Sequence, residues 1–282
     1  MMEGTASHTA RSVAAHRLEY ARIEAPNGDP AADDALARDV AGGLAPKHNR
    51  MHEYLRARTA FFDRAVVTAL DAGVAQVVIG GAGYDGRALR YARPGVRWFE
   101  LDHPATQADK LERLARLNLD TRHIRFVGAD FARDPIAAPL AAVGLDPRQP
   151  ALFLLEGVAV YLERHVLERV LATFREVAAD GSTLAISVSA GGTDSQARAR
   201  FAERVAAIGE PARSAVTPDE AAELLAAIGW KTTEGRERLR FAGLLLARSS
   251  PWPPEVGPAF RRPGALPGQL ARRPGPFSRT TR

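Results

Sequence analysis

The tightest constraint on this chain is the passage from Val77 to Arg87. Val77-Val78-Ile79 is an apolar run of strand type, and it empties into Gly80, Gly81 and Gly83 ahead of a segment able to form a helix. Glycine at such a point lets the chain turn tightly and brings bare backbone against a ligand, because no Cβ intervenes. A strand, a glycine turn and a helix opening an α/β unit make a nucleotide-type binding loop. The spacing Gly81-x-Gly83-x-x-Gly86 also matches the dinucleotide fingerprint letter for letter.

Charge separates the two readings. A dinucleotide sets its pyrophosphate at the helix N-terminus, which should then offer N–H groups and no anion. Asp85 sits inside this turn, where it would repel a phosphate at close range. S-adenosylmethionine carries an ammonium and a sulfonium and no phosphate, so a nearby carboxylate suits it. The loop therefore favours the methyl donor over NAD.

Composition narrows the classes further. The 282 residues are 46% hydrophobic and 25% charged, ordinary globular usage, and long enough for one decorated α/β domain. No apolar run is long enough for a transmembrane helix, and the start, Met1-Met2-Glu3-Gly4-Thr5, has no secretory pattern. The chain has no cysteine, which removes disulfides and thiolate chemistry; a cytoplasmic location is the expectation. The net charge of +5 is carried by residues 250–282, with six arginines and one glutamate, leaving residues 1–249 balanced. A nucleic-acid reader needs its basic patch on the folded face, so neither nucleic acid nor membrane is expected as a partner.

In chain order, residues 1–11 read as a disordered terminus, and Val13 to Ile23 as a helix ended by Pro26-Asn27-Gly28-Asp29-Pro30. Asp33 or Asp34 is placed to cap a short helix to Val40 that Gly42-Gly43 stops. The next helix, about His48 to Ala72, carries the stripe Met51, Tyr54, Leu55, Phe61, Phe62, Ala65, Val66, Ala69 and Leu70. Arg58 falls in the middle of that stripe. A guanidinium on an apolar face must find an anion or reach solvent. It either snorkels on its apolar stem or serves as a fork for a ligand carboxylate.

After the glycine loop, Val96 to Asp102 alternates as a second strand and ends on acids. Asp102 lies 19 residues beyond Gly83, near the interval at which a second strand offers an acid to ribose hydroxyls; Glu100, on the same face by parity, competes. His103-Pro104 opens a helix through Asn118, and Ile124 to Gly128 is a third strand ending at Asp130-Phe131. An acid followed by an aromatic can accept from an adenine amine and cover the ring, though Asp before a helix is also an ordinary cap. Ala151 to Leu155 is the most continuous apolar run and discharges into Glu156-Gly157-Val158-Ala159-Val160-Tyr161. In a doubly wound sheet the first and fourth strands flank the switch point, so Glu156 belongs beside Gly81. Tyr161 could face the same crevice or pack away from it.

Glu163 to Ala179 reads as a helix, Ser182 to Ser189 as a fifth strand, and Asp194–Ile208 and Pro218–Ile228 as helices, the last capped by Thr217. Strands near Trp230–Thr233 and Phe241–Ala247 leave too little chain between them for a crossover, which predicts an antiparallel pair. Residues 250–282, with eight prolines and four glycines, read as a disordered tail.

Taken together, five segments resemble the leucine carboxyl methyltransferase family and its bacterial branch. They are Arg58-Thr59-x-Phe61-Phe62-Asp63, Gln76 to Asp85 with Arg87, Phe99-Glu100-Leu101-Asp102-His103-Pro104, Asp130-Phe131, and Glu156-Gly157-Val158-x-x-Tyr161-Leu162. The likeness covers about residues 12–248. It implies a class I methyltransferase fold: a Rossmann-like, doubly wound, mostly parallel α/β sheet with a C-terminal antiparallel hairpin. A helical cap over residues 12–72 would precede a core over residues 73–249. It also implies S-adenosylmethionine as cofactor, with Arg58 on its carboxylate, Gly81 and Gly83 against its methionine part, and Asp85 nearby. Asp102 would take the ribose, Asp130 and Phe131 the adenine, and Glu156 the amino group. Two positions depart from the family pattern: Gly86 where threonine is usual and Gly80 where an aliphatic residue is usual. Both would loosen the loop.

The expected activity is O-methylation of a small-molecule acceptor, a carboxylate before a hydroxyl, with Tyr161 orienting the acceptor. A hydroxyl would want a base, for which His16, His52 and His103 are candidates by position. An NAD-dependent oxidoreductase and a non-catalytic binding protein on the same fold are the competing classes.

Overall fold

The computed structural model describes residues 8–188, 203, 213, 216–234 and 243–250. Three helices come first: α1 (His8–Arg17), α2 (Pro30–Ala41) and α3 (Arg50–Asp71). The core then alternates β1 (Gln76–Gly80), α4 (Arg87–Arg90), β2 (Arg97–Asp102), α5 (Pro104–Arg116), β3 (Ile124–Gly128), α6 (Ala137–Ala142) and β4 (Leu152–Leu155). A 3₁₀ turn (Ala159–Tyr161), α7 (Arg164–Val177), β5 (Thr183–Ser187), α8 (Pro218–Ala227), β6 (Trp230–Glu234) and β7 (Leu244–Ser249) complete it.

The seven strands form one sheet in the order β3-β2-β1-β4-β5-β7-β6. Pairs from β3 through β5 are parallel, while β7 runs antiparallel to both β5 and β6. The antiparallel pair is thus present as expected. Its second strand does not simply add to the edge: β7 slots between β5 and β6. Leu244, Leu245 and Ala247 are fully buried, which is what drives β7 inward in preference to Lys231-Thr232-Thr233.

Strand parity divides the core in two. Val78, Phe99, Leu101, Phe153 and Leu155 face one side with Phe174, Leu225 and Trp230. Val77, Ile79, Trp98, Leu152 and Leu154 face the other with Phe62, Val66 and Leu36 of the N-terminal helices. The run Leu152–Leu155 is buried throughout, as a parallel strand covered on both faces must be. β1 and β4 are neighbours, with Val78 opposite Phe153, so their C-terminal ends lie side by side.

The cap differs in detail from the sequence expectation. α1 already begins at His8, within the stretch expected to be disordered, and ends at Arg17. Ala14 and Ala15 bury against α2, and Arg11 reaches the Ala41 carbonyl at 3.4 Å. The cap of α2 is Asp29, whose side chain accepts from the Ala32 amide at 2.9 Å. Asp33 and Asp34 are instead inside the helix, where Asp33 binds Arg90 and Arg22 and Asp34 binds Arg90. Pro30 at the first helical turn moved the start forward of both acids. Thr217 does cap α8, in a reciprocal box with Glu220. The expected helix Asp194–Ile208 apart from Glu203, the first seven residues and the tail beyond Ser250 lie outside the described residues.

The two unusual glycines are filled by neighbours. A Cβ on Gly80 would meet the Phe174 ring at 2.9 Å, and one on Gly86 would lie 1.8 Å from Asp33 Oδ1. Asp33 is pinned there by two guanidinium groups, so the loop is braced rather than loosened. Gly86→Thr should therefore destabilise the fold by about 1–3 kcal/mol through overpacking, read from urea unfolding. An unchanged midpoint would mean that Asp33 gives way freely.

Candidate active-site crevice

The glycine turn departs from β1 with Gly81 at φ 64° and Gly83 at φ 48°, the left-handed region in which residues with a Cβ are strained. Its two glycines serve different ends. The Cβ direction of Gly81 is occupied by the Val158 side chain at 2.2 Å, whereas that of Gly83 opens into free space. Close approach of the loop after β4 requires the first; an approaching ligand could use the second.

The end of β2 clamps the turn. Asp102 accepts hydrogen bonds from the Gly83 amide and, at 2.7 Å, from the His103 amide. Burial raises its carboxyl above the usual range, against the pull of those two amides. Lys110 of α5 donates to the Asp85 carbonyl at 2.7 Å and to Glu100 at 2.5 Å. Glu100 is likewise pushed up by burial, with Lys110 opposing. It points into the core toward α5, so Asp102 alone remains at the strand end, where its residue is only partly covered.

A network of alternating charge lies against this turn. Arg87, fully buried, donates from Nε to Asp63 at 2.7 Å and from Nη1 to Asp85 at 2.6 Å and Glu156 at 2.5 Å. Its guanidinium also lies 5.6 Å from the centre of the Phe62 ring. Asp63 is shared with Arg22. From the cap, Arg58 donates to Glu156 Oε1 at 2.9 Å, and Arg17 to Glu156 Oε2 at 3.1 Å, with Asp85 3.7 Å away. Burial opposes ionisation of Glu156, but Arg87, Arg17 and Arg58 overcome it and hold its carboxyl well below the usual range. Asp85 and Asp63 are lowered in the same way, chiefly by Arg87.

The sequence-derived residues distribute as follows. Glu156 and Asp85 meet at the glycine turn, and Arg58 points into the crevice rather than into water. Arg58 is not an isolated fork, however: its Nε is already paired with Glu156, and its guanidinium lies 5.5 Å from the Tyr54 ring centre. Nor is Asp85 a bare anion, since Arg87 takes it from both the amide and the side chain. Asp130 and Phe131 sit two strands away. Asp130 closes a turn by accepting from the Ala132 amide at 2.9 Å, and Phe131 is packed within the apolar cluster at 8% exposure. Tyr161 ends the 3₁₀ turn that follows Val158. His103 caps α5, its Nδ1 accepting from the Ala105 amide, and His16 and His52 face each other within the cap.

Arg17, Arg22, Asp63 and Arg87 are members of the network to which the sequence assigned no role. Arg87 stood two residues beyond Asp85, and the run Phe61-Phe62-Asp63 put an acid on a buried helix face; a burial argument pairing them was available. Arg17 carried no such signal, because it ends α1, a short helix whose polar and apolar residues do not separate onto two faces.

The family model described as leucine carboxyl methyltransferase matches residues 7–175. A Parafrankia sp. protein named "Putative S-adenosyl-L-methionine-dependent methyltransferase" is 39% identical over 172 residues, covering 59% of this chain and 55% of that one. A Streptomyces avermitilis protein of the same description is 32% identical over 224 residues, covering 77% and 71%. The chain spans about half the length of the first of these relatives. A DUF574 family protein of known structure, also from Streptomyces avermitilis, superposes with a TM-score of 0.56 at 19% identity, over 86% of this chain and 98% of that one; this likeness is one of fold.

Two outcomes test the network. Arg87→Met leaves Asp63, Asp85 and Glu156 short of a common cation, and should cost about 3–5 kcal/mol in urea unfolding; a loss below about 1 kcal/mol would show that Arg17 and Arg22 compensate. Acid titration gives the second. Because the folded-state values of Glu156, Asp85 and Asp63 are depressed, their stabilisation is complete above the unfolded values and is lost as pH falls through them. Between about pH 5 and pH 3 the unfolding midpoint of Glu156→Gln should therefore fall less steeply than that of the unsubstituted protein. Equal slopes would contradict an ionised Glu156.

Proposed function

Because the chain belongs to the leucine carboxyl methyltransferase family, we propose that it is an S-adenosylmethionine-dependent O-methyltransferase acting on the carboxylate of a small metabolite in the cytoplasm. The observation that carries this reading is the Arg58–Glu156 pair beside the glycine turn, joined by Arg17 and Asp85. A zwitterionic amino-acid group can exchange into such a pair. Its ammonium is suited to Glu156 and Asp85, and its carboxylate to the guanidinium groups of Arg58 and Arg17, as bidentate recognition favours. A pyrophosphate would instead meet two carboxylates, which speaks against NAD despite the Gly81-x-Gly83-x-x-Gly86 spacing.

The remaining residues fit the same compound. The open Cβ direction at Gly83 leaves room for close approach of a ligand to the backbone. Asp102 uses one lone pair on each oxygen for the Gly83 and His103 amides, leaving acceptor capacity for two ribose hydroxyls. Asp130 and Phe131, at the end of the outermost parallel strand, are assigned to the adenine; the Phe131 ring would present an edge or a small part of a face. Tyr161, just beyond the Val158 contact with Gly81, is assigned to orienting the acceptor.

Held by these residues, S-adenosylmethionine would supply a methyl carbon on a sulfonium, with a neutral thioether as the leaving group when an acceptor oxygen takes the methyl. A carboxylate acceptor is already ionised at neutral pH. The protein then contributes alignment and exclusion of water more than proton abstraction. The engagement of His103 in capping α5 agrees with a reaction that needs no strong base.

Calorimetry with S-adenosylhomocysteine and with NADH tests the reading directly. The thioether should bind and NADH should not, and Arg58→Ala should weaken the thioether by about tenfold or more, the loss of one charge-assisted contact. NADH binding, or an unchanged affinity in Arg58→Ala, would overturn the assignment. Binding without methyl transfer to any acceptor, carboxylate or hydroxyl, would favour a cofactor-binding module over an enzyme.

A further inference from the structure

A second constellation lies outside the crevice, where the turn after α1 meets the entry to α3. Glu19, His48 and His52 each offer one ligand atom, and the three atoms lie within 4.8 Å of one another. His48 Nε2 is 2.7 Å from Glu19 Oε2, and the His48 and His52 rings meet edge to face with centroids 4.6 Å apart.

The surroundings hold these groups in place. Asn49 caps α3 by accepting from the Met51 and His52 amides, which fixes the four-residue step from His48 to His52. Behind His52, its Nδ1 lies 3.1 Å from Nδ1 of the buried His16. The Tyr20 hydroxyl donates to the His52 carbonyl at 2.9 Å. Metal-bound imidazoles are oriented by such an outer hydrogen bond on the ring. On the other side the cluster is open: the His48 side chain is 68% exposed and that of Glu19 39%.

We propose that Glu19, His48 and His52 form a binding site for a divalent transition-metal ion, zinc in the first instance, with a position left open to solvent. Two imidazoles and one carboxylate are a donor set for zinc and its first-row neighbours. Magnesium and calcium prefer oxygen ligands throughout. An exposed His–Glu contact alone contributes little to stability and gives no reason for a second imidazole at its edge. The position also has a structural consequence. Arg17 closes α1 and Arg58 lies within α3, and both reach Glu156; an ion between Glu19 and His48/His52 ties together the two elements that carry those arginines.

The test uses the full chain, free of any histidine tag and stripped with EDTA. Zinc calorimetry should give one site per chain, and cobalt(II) absorption should show nitrogen–oxygen ligation. His48→Ala and Glu19→Gln, both at exposed side chains, should each weaken zinc by about tenfold or more, while His165→Ala, an exposed histidine elsewhere, should leave it unchanged. Zinc should also raise the melting temperature of the unsubstituted protein but not that of His48→Ala. Melting curves in EDTA that coincide for all four proteins show that the variants fold. Failure of the folded protein to bind zinc, or an affinity in His48→Ala or Glu19→Gln unchanged from that of the unsubstituted protein, would overturn the site. Because binding and melting are measured instead of methyl transfer, such a failure leaves the proposed activity standing.

Discussion

The interaction on which the rest of the structure depends is the burial of the Arg87 guanidinium among three carboxylates. A charge without solvent costs several kcal/mol unless it is paired and hydrogen-bonded. Asp63 comes from α3, Asp85 from the glycine turn and Glu156 from the end of β4, so satisfying Arg87 requires that all three elements converge. The cap, the first loop and the switch-point strand are thereby held in register by one side chain at 0% exposure. Arg87 pairs these groups; Arg22, Arg17 and Arg58 then complete the acids it leaves partly satisfied.

That arrangement gives the site a fully buried floor and a partly exposed rim. The floor, formed by Arg87, Asp63, Lys110 and Glu100, is sealed and has no role open to a ligand. The Arg17 and Arg58 side chains keep about a tenth of their surface exposed and come from the helical cap, where a competing ion can reach them. On the proposed reading an ion pair at such a boundary receives a zwitterion, since both charges are compensated before and after exchange.

The cap is also where local sequence rules were weakest. Asp33 and Asp34 look like caps because acids are favoured at helix starts; Pro30 and Asp29 had already begun the helix, and the two acids were used for tertiary pairing. The glycines at 80 and 86 look like sources of slack, yet Phe174 and Asp33 occupy the space a side chain would need. At the two glycines a residue from a distant part of the chain decided the outcome, which no window around the position contains, whereas the start of α2 was set locally by Asp29 and Pro30.

Periodicity and turn chemistry made much of the protein legible from its residues alone. The apolar runs Val77–Ile79 and Leu152–Leu155 form strands, the glycine turn with Asp85 follows the first, Asp102 ends β2 and Glu156 follows β4 directly. Those features depend only on neighbours in the chain. Three things were decided by tertiary structure: the insertion of β7 between β5 and β6, the pairing of Arg58 with Glu156, and the entry of Arg17 and Arg87 into the site. Each rests on which buried surface or charge finds a partner far along the sequence, and that competition is settled only when the whole core closes.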